Sequence, residues 1–584
     1  MHARRFDLVA SAERAFNYFV GHIDRRTGCP FIWTYLLTDP PKLAHDGWDT
    51  VEDVGRFIEA LVLLRLMTGS DAGLATELAL RDRLVAQQNP DDGLIYRPDL
   101  PYTTPVADVY DQMSALHGLV ARFLADADPV CGRAIDACLD ALSGLAAWDG
   151  ADYARFNCVA VHNGRALAAY DGQLTETDNP ETPDEAWFGR VIRPAFRYAV
   201  ATGKEQPLVL ARAVARDVAF RSDRYGDDGS FSRERHDDGS VWTNGHFHSR
   251  ANTLAAILRL AAHTGDDDLV AWGERVFRWA LGRGTAFGWY PEFIGRRDVA
   301  VEGCETCGVV DMLDAAITLA RLGRDDCWGV ADRIWRNQLL ENQLRDVSWV
   351  RTTRTRDDTE TECFDRAAER ALGGFAGWAG PNDLISNFSD PHFSALDPTQ
   401  DHRRTLMGCC SGSGAKGLYL AWHESLRPTD DGIAVNFAVT RDSDRAGLRC
   451  FEPGEGRIEL TMKVAGTAEV RLPGSPDERE VSVERCGETV STEWRRGRVR
   501  LVGLNVGDRV VVRYPLKEYT ETVTVGGWDR TTPVDYELTW RGNTVVDVAP
   551  AGKRCPLYRR RAAAEGDPDG EPRVGPVGTG AYDY

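Results

Sequence analysis

From about Asp7 to Glu424 the apolar residues recur three and four positions apart, as in VEDVGRFIEALVLLRLM, DQMSALHGLVARFLA, RVIRPAFRYAVATG, RANTLAAILRLAAHTG and GVADRIWRNQLLENQ. This spacing puts an apolar stripe along each segment and predicts roughly a dozen helices. Several end on a glycine stop, at Thr68-Gly69, Thr202-Gly203, Thr264-Gly265 and Leu322-Gly323, where glycine tolerates the left-handed turn that closes a helix. No strand pattern alternates with them, so the predicted architecture is mainly α: helices paired in a toroid, an (α/α) barrel. Turn-rich tips such as NPDDGLIY and YGDDGSFSRERHDDGS lie between the helices, and loops of this kind at one end of a barrel are expected to build a substrate site.

Residues 345–405 interrupt the helical period and read as loops with a strand pair, an insertion leading directly into a Cys-Cys pair. From about Asp431 the period changes to two, in GRIELTMKV, AEVRLPG, RGRVRLVGL and DRVVVRYPL, which predicts an antiparallel β-sandwich. The expected division is a barrel over 1–425, a sandwich over 426–561 and an extended or disordered tail over 562–584, where Gly and Pro are frequent and little can be buried.

The chain of 584 residues is 43% hydrophobic, ample for sizeable cores. Its net charge of -20 comes without long basic runs, which argues against nucleic acid as a partner. The N-terminal stretch MHARRFDLVASAERAFNYFV lacks a signal core and no later run is apolar enough to span a membrane. The expectation is a soluble, cytoplasmic protein with a small substrate, whose sandwich and tail offer surface for a homodimer contact. Its thirteen cysteines are then mostly reduced, and Cys131, Cys138, Cys158, Cys450, Cys486 and Cys555 read as small hydrophobes.

The exceptions stand in EGCETCGVV and, about a hundred residues later, MGCCSGSGAKG. Glu305 and Cys307 are two apart, a spacing that brings side chains together on an extended segment, so both are expected on the approach to the helix GVVDMLDAAITLARLG. Cys409 and Cys410 likewise precede GSGAKGLYLAWHESL, with Ser411 or Ser413 as N-cap. Thiols near helix N-termini are drawn towards the thiolate by the backbone dipole. A disulfide between neighbours would be strained, because their Cα atoms lie about 3.8 Å apart and bridged pairs usually need about 4.4 Å or more. Zinc takes four such ligands in a tetrahedron. Glu305, Cys307, Cys409 and Cys410 make one set, and Cys304, Cys307, Cys409 and Cys410 make a second; unligated thiols and a redox pair are further readings, and spacing does not choose among them.

The E-x-C of Glu305-Thr306-Cys307 combined with the Cys409-Cys410 pair resembles glycoside hydrolase family 127, the β-L-arabinofuranosidase family. GWDTVEDVGRFIEALVLLRL, QNPDDGLIY and EVRLPG with VGDRVVVRYPL are similar to further family segments. The resemblance implies an (α/α)6 barrel followed by β-sandwich structure, Zn2+ held by Glu305, Cys307, Cys409 and Cys410, and hydrolysis with retention. It implies Cys409 as nucleophile and Glu292 as acid/base, with Glu302 as the second candidate. It also implies His246 and His248 as ligands of sugar hydroxyls, with Ser114 where the family carries a further histidine. Trp242, Trp289 and Tyr290 are candidate rings for stacking on a sugar face. The implied substrate is a small oligosaccharide or glycoside ending in β-L-arabinofuranose or a similarly configured sugar. The alternatives are another (α/α)-barrel carbohydrate enzyme, a uronyl hydrolase or epimerase with a purely structural zinc site, and a non-catalytic sugar-binding protein.

Overall fold

The computed structural model of the chain describes residues 6–167, 189–231, 234–235, 241–242, 246–294, 303–386, 403–526 and 533–560. Six helices form a closed inner ring: α2 (Glu52–Thr68), α4 (Val109–Asp126), α6 (Ile192–Thr202), α8 (Phe247–Thr264), α10 (Thr306–Arg321) and α13 (Gly408–Ser425). Each packs on the next and the last packs on the first. An outer layer of α1 (Leu8–Gly21), α3 (Leu74–Ala86), α5 (Pro129–Leu145), α7 (Glu205–Phe220), α9 (Asp267–Leu281) and α11 (Asp326–Ile334) covers them, completing an (α/α)6 barrel. The glycine stops act as the sequence predicts: Gly69, Gly203 and Gly265 close α2, α6 and α8 at φ 67, 73 and 68°.

Inner helices have neighbours on every side, and α2 is buried at each position from Glu52 to Leu64. Charges on such a helix must find partners inside the protein. Asp314 of α10 shows the pattern, receiving Arg193 of α6, the Arg259 Nε of α8 at 2.8 Å and the Lys416 Nζ of α13 at 3.5 Å. Burial alone would raise the Asp314 carboxyl, but these three cations hold it well below the usual carboxylate range.

A four-stranded sheet steers the chain into α13. Its order is Glu362–Cys363, Lys42–Ala44, Trp33–Tyr35, Leu406–Met407, with Trp33 opposite Met407 and Thr34 opposite Leu406. Within the expected insertion, the described residues form that first strand and a short helix, α12 (Ala367–Ala371); 387–402 lie outside the described residues, as do 561–584, which hold the predicted tail.

Beyond α13 the described residues are mainly β-structure. A five-stranded and a six-stranded sheet face each other across one apolar core that includes Ile433, Leu460, Val470 and Val512. Pairing is antiparallel apart from Gly432–Val435 with Gly466–Arg471, which run parallel. The last three strands, Glu518–Val525, Val534–Arg541 and Thr544–Ala549, form a separate sheet. Their Leu538, Trp540 and Val545 join the barrel core rather than the sandwich core. Alternation along a strand says which side chains share a face, not which surface that face meets. All thirteen cysteines are free, and two depart from the buried pattern: Cys486 stands exposed and Cys555 is half-buried.

The closest backbone approach in the ring is at α2 against α4. A Cβ on Gly55 would lie 2.3 Å from the Ser114 carbonyl oxygen, and one on Gly118 would lie 2.3 Å from that of Gly55. Gly55→Ala or Gly118→Ala is therefore expected to cost about 1–3 kcal/mol by overpacking, read as a lower urea midpoint at constant slope. Gly144→Ala, in α5 with nothing within 4 Å of the added carbon, is expected to stabilise by about 0.5–1 kcal/mol.

Candidate active site

Helix α10 starts at Thr306 with Glu305 as its N-cap, so Cys307 stands in the first turn rather than on an extended approach. Helix α13 starts at Gly408, which places Cys409 and Cys410 inside its first turn, earlier than a cap at Ser411 or Ser413. The sheet decides this start: the Gly408 N–H donates to the Ile32 carbonyl at 2.8 Å, and the helix turns directly off the strand. Ser411 is used elsewhere, its Oγ accepting the Phe375 N–H at 3.1 Å. Gly408 has no room for a side chain, since a Cβ would meet Asp53 Oδ2 at 1.8 Å.

Adjacent inner helices thus bring their N-termini together. One ligand atom each from Glu305, Cys307, Cys409 and Cys410 lies within 4.8 Å of all the others, and all four residues are buried. The Cys307 and Cys410 sulfurs are 3.6 Å apart, and the Cys410 sulfur is 3.8 Å from Glu305 Oε1. Cys304 stays outside: its sulfur accepts the Tyr290 N–H at 3.4 Å within the hydrophobic core. Of the two ligand sets the sequence allows, only the one containing Glu305 is assembled among the described residues.

Glu305 also belongs to a second group, since His246, Glu292 and Glu305 offer ligand atoms within 4.8 Å of one another. Its Oε2 lies 3.2 Å from His246 Nε2. Glu292 is buried and held through its backbone, its N–H donating to the Gly303 carbonyl at 2.9 Å and its carbonyl accepting the Phe247 N–H at 2.7 Å. Glu302, the second acid/base candidate, lies outside the described residues, as does the side chain of Trp242 on its short strand. His248 is 2% exposed, with Nδ1 2.5 Å from Asp311 Oδ2, and stands close enough to Cys307 to favour its thiolate.

Tyr290 and Trp289 do not present faces to a sugar. Tyr290 is 1% exposed and stacked on Phe247 at 5.0 Å, while the Trp289 Nε1–H donates to the Ala379 carbonyl at 3.1 Å. Burial of both rings in the core outweighs any role at the surface.

Sequence reading missed the polar wall opposite. The Arg56 Nη1 lies 3.9 Å from the Cys307 sulfur and 3.4 Å from the Cys409 carbonyl oxygen. Its Nε pairs with Glu52, and its Nη2 donates to the Tyr110 hydroxyl at 2.8 Å, to which Arg190 Nη1 also donates at 3.2 Å. A signal was present: Glu52 and Arg56 are i,i+4 at the start of a helix whose remaining residues are mostly apolar, where a buried charge needs a partner.

Burial favours neutral thiols, yet hydrogen bonds from Cys409 and Cys410, with His248 beside them, hold Cys307 well below the usual thiol range. Burial together with that first anion pushes Cys409 and Cys410 up. His248 is drawn down by burial but raised to about 10 overall by Cys307, Asp311 and Glu305. Three sulfurs at contact distance accommodate one negative charge and resist the second and third, and a divalent cation offsets that repulsion. The buried Glu and three Cys could therefore hold a metal ion.

The expected outcome is one divalent ion per chain by plasma emission spectrometry, lost in Cys410→Ser. Stripping the ion with a chelator is expected to expose cluster thiols to Ellman's reagent. It should also lower the melting temperature, because only the folded chain gathers the ligands.

No family model and no curated protein matches the chain, but solved structures do. A GH127 β-L-arabinofuranosidase from Geobacillus stearothermophilus T6 is 15% identical, with a TM-score of 0.54 over 92% of this chain and 80% of that one. A second GH127 β-arabinofuranosidase is 15% identical, with a TM-score of 0.56 over 93% and 81%. A structure described as a glycoside hydrolase is 12% identical, with a TM-score of 0.55 over 93% and 81%. What this chain shares with these three structures is the fold, over nearly its whole length.

Proposed function

We propose that the chain is a retaining glycosidase that releases a terminal β-L-arabinofuranose or a similarly configured sugar from a small oligosaccharide or glycoside. The observation that carries this reading is the shared carboxylate: Glu305 touches the three-sulfur cluster on one side and the group containing Glu292 on the other. A candidate nucleophile and a candidate proton donor are thereby brought to one place, at the N-terminal ends of the inner helices. Cys409 keeps 3% exposure while Cys307 and Cys410 have none, which supports it over the other two as the sulfur that meets a substrate.

The residues fit zinc. Bonds of about 2.3 Å to sulfur in a tetrahedron separate the sulfurs by about 3.8 Å, and the Cys307–Cys410 separation is 3.6 Å. Zinc bound to Glu305, Cys307, Cys409 and Cys410 would supply the positive charge that keeps these buried sulfurs deprotonated at neutral pH.

In this reading the Cys409 Sγ attacks the anomeric carbon as Glu292 gives its proton to the departing glycosidic oxygen, leaving the sugar linked to sulfur. Glu292, now a carboxylate, takes a proton from water, which attacks the same carbon from the opposite direction and frees the sulfur. Two inversions give retention. Burial by itself keeps the Cys409 thiol neutral, so a cysteine in the place of the usual second carboxylate depends on the positive charge that a bound metal would supply.

Cys409→Ser is expected to lower kcat on an aryl β-L-arabinofuranoside by at least about 10³-fold without lowering the melting temperature of the metal-free protein. Glu292→Gln is expected to lose about 10²–10⁴-fold on substrates with poor leaving groups and far less on a dinitrophenyl glycoside, which departs without a proton. Proton NMR of the first sugar released is expected to give the β anomer. Turnover that survives in Cys409→Ser would place the chemistry on other residues.

A further inference from the structure

The two histidines that the sequence offers as sugar ligands stand beside the metal-binding side chains, His246 with Nε2 3.2 Å from Glu305 Oε2. His248, in the first turn of α8, has almost no surface, and its Nδ1 is 2.5 Å from Asp311 Oδ2. Asp311 is one helical turn beyond Cys307 on α10, so one imidazole reaching over from α8 meets both. Asn252, one turn beyond His248, donates its Nδ2–H to Asp311 Oδ1 at 3.0 Å and fixes the carboxylate. With Nδ1 committed to Asp311, the imidazole ring is held in one orientation beside the Cys307 sulfur, the arrangement that tunes ligands in metal sites. From α2, across the cluster, the Arg56 Nη1 lies 3.9 Å from the same sulfur, and its charge is balanced by Glu52. Gly412 leaves space for it, since a Cβ there would be 3.1 Å from Arg56 Cβ.

We infer that the Asp311–His248 pair and Arg56 are positioning residues that grip the Cys307 sulfur from two sides and fix the ligand frame in which Cys409 alone faces outward. The kinetic consequence rests on the glycosidase reading; the consequence for metal binding stands without it.

The test compares His248→Gln and Asp311→Asn with the wild type, as full-length chains. Zn2+ affinity is measured in competition with a chromophoric chelator, and kcat and KM on an aryl β-L-arabinofuranoside. Both variants are expected to bind Zn2+ about 10- to 100-fold more weakly. At saturating Zn2+, kcat is expected to fall about tenfold with KM unchanged. Circular dichroism and the melting temperature of the metal-free chains check the fold, and Asp311→Asn, nearly isosteric, carries the comparison if His248→Gln does not fold. Unchanged Zn2+ affinity with a raised KM would make His248 a sugar ligand and overturn the inference, as would affinity loss that merely tracks a lower metal-free melting temperature. A wild type that hydrolyses no glycoside while the variants still bind Zn2+ more weakly sinks the glycosidase reading and leaves this one in place.

Discussion

Three thiols and a carboxylate, contributed by segments 102 to 105 residues apart, must share one water-poor space. Their mutual repulsion once ionised is the constraint around which this end of the barrel is organised. The closed ring sets α10 beside α13 with both N-termini at the cluster, so backbone dipoles favour the anions. The small sheet fixes where α13 begins, and Gly408 allows that start to press against Asp53. Arg56 and His248 then supply cationic neighbours at the sulfur that ionises first.

The same logic runs down the barrel axis. Inner helices cannot send charged side chains to water, so Arg193, Arg259 and Lys416 converge on Asp314, and Glu52 pairs with Arg56. Buried pairs of this kind contribute little net stability once desolvation is counted, but leaving one partner alone is costly. They therefore disfavour alternative registers of neighbouring helices and serve placement more than stability. At the other end of the chain, Arg336 reaches Asp332 of α11, Glu452 in the sandwich region and Thr544 of the last sheet, tying three parts together through one buried guanidinium. A fold resting on volume, helix pairing and a few buried polar ties tolerates wide exchange of individual core residues. That accounts for a TM-score of 0.56 at 15% identity to a solved β-arabinofuranosidase.

Periodicity alone revealed the paired helices, their glycine stops and the change to strands, because which side of an element is apolar is a property of neighbouring residues along the chain. The unusual donors Glu305, Cys307, Cys409 and Cys410 were also legible, since thiols and a carboxylate at helix starts are chemically conspicuous. The sequence left three things open that contacts decided. The sheet pairing of Met407 moved the start of α13 ahead of the cysteines. Packing took Cys304, Trp289 and Tyr290 into the core. Arg56 and Asp311 joined the cluster from positions whose local sequence marks them only as charges in apolar helices. Short-range pattern dictates which face of each segment avoids water, whereas the meeting of atoms from distant segments depends on how those faces close on one another, and only the assembled barrel settles that.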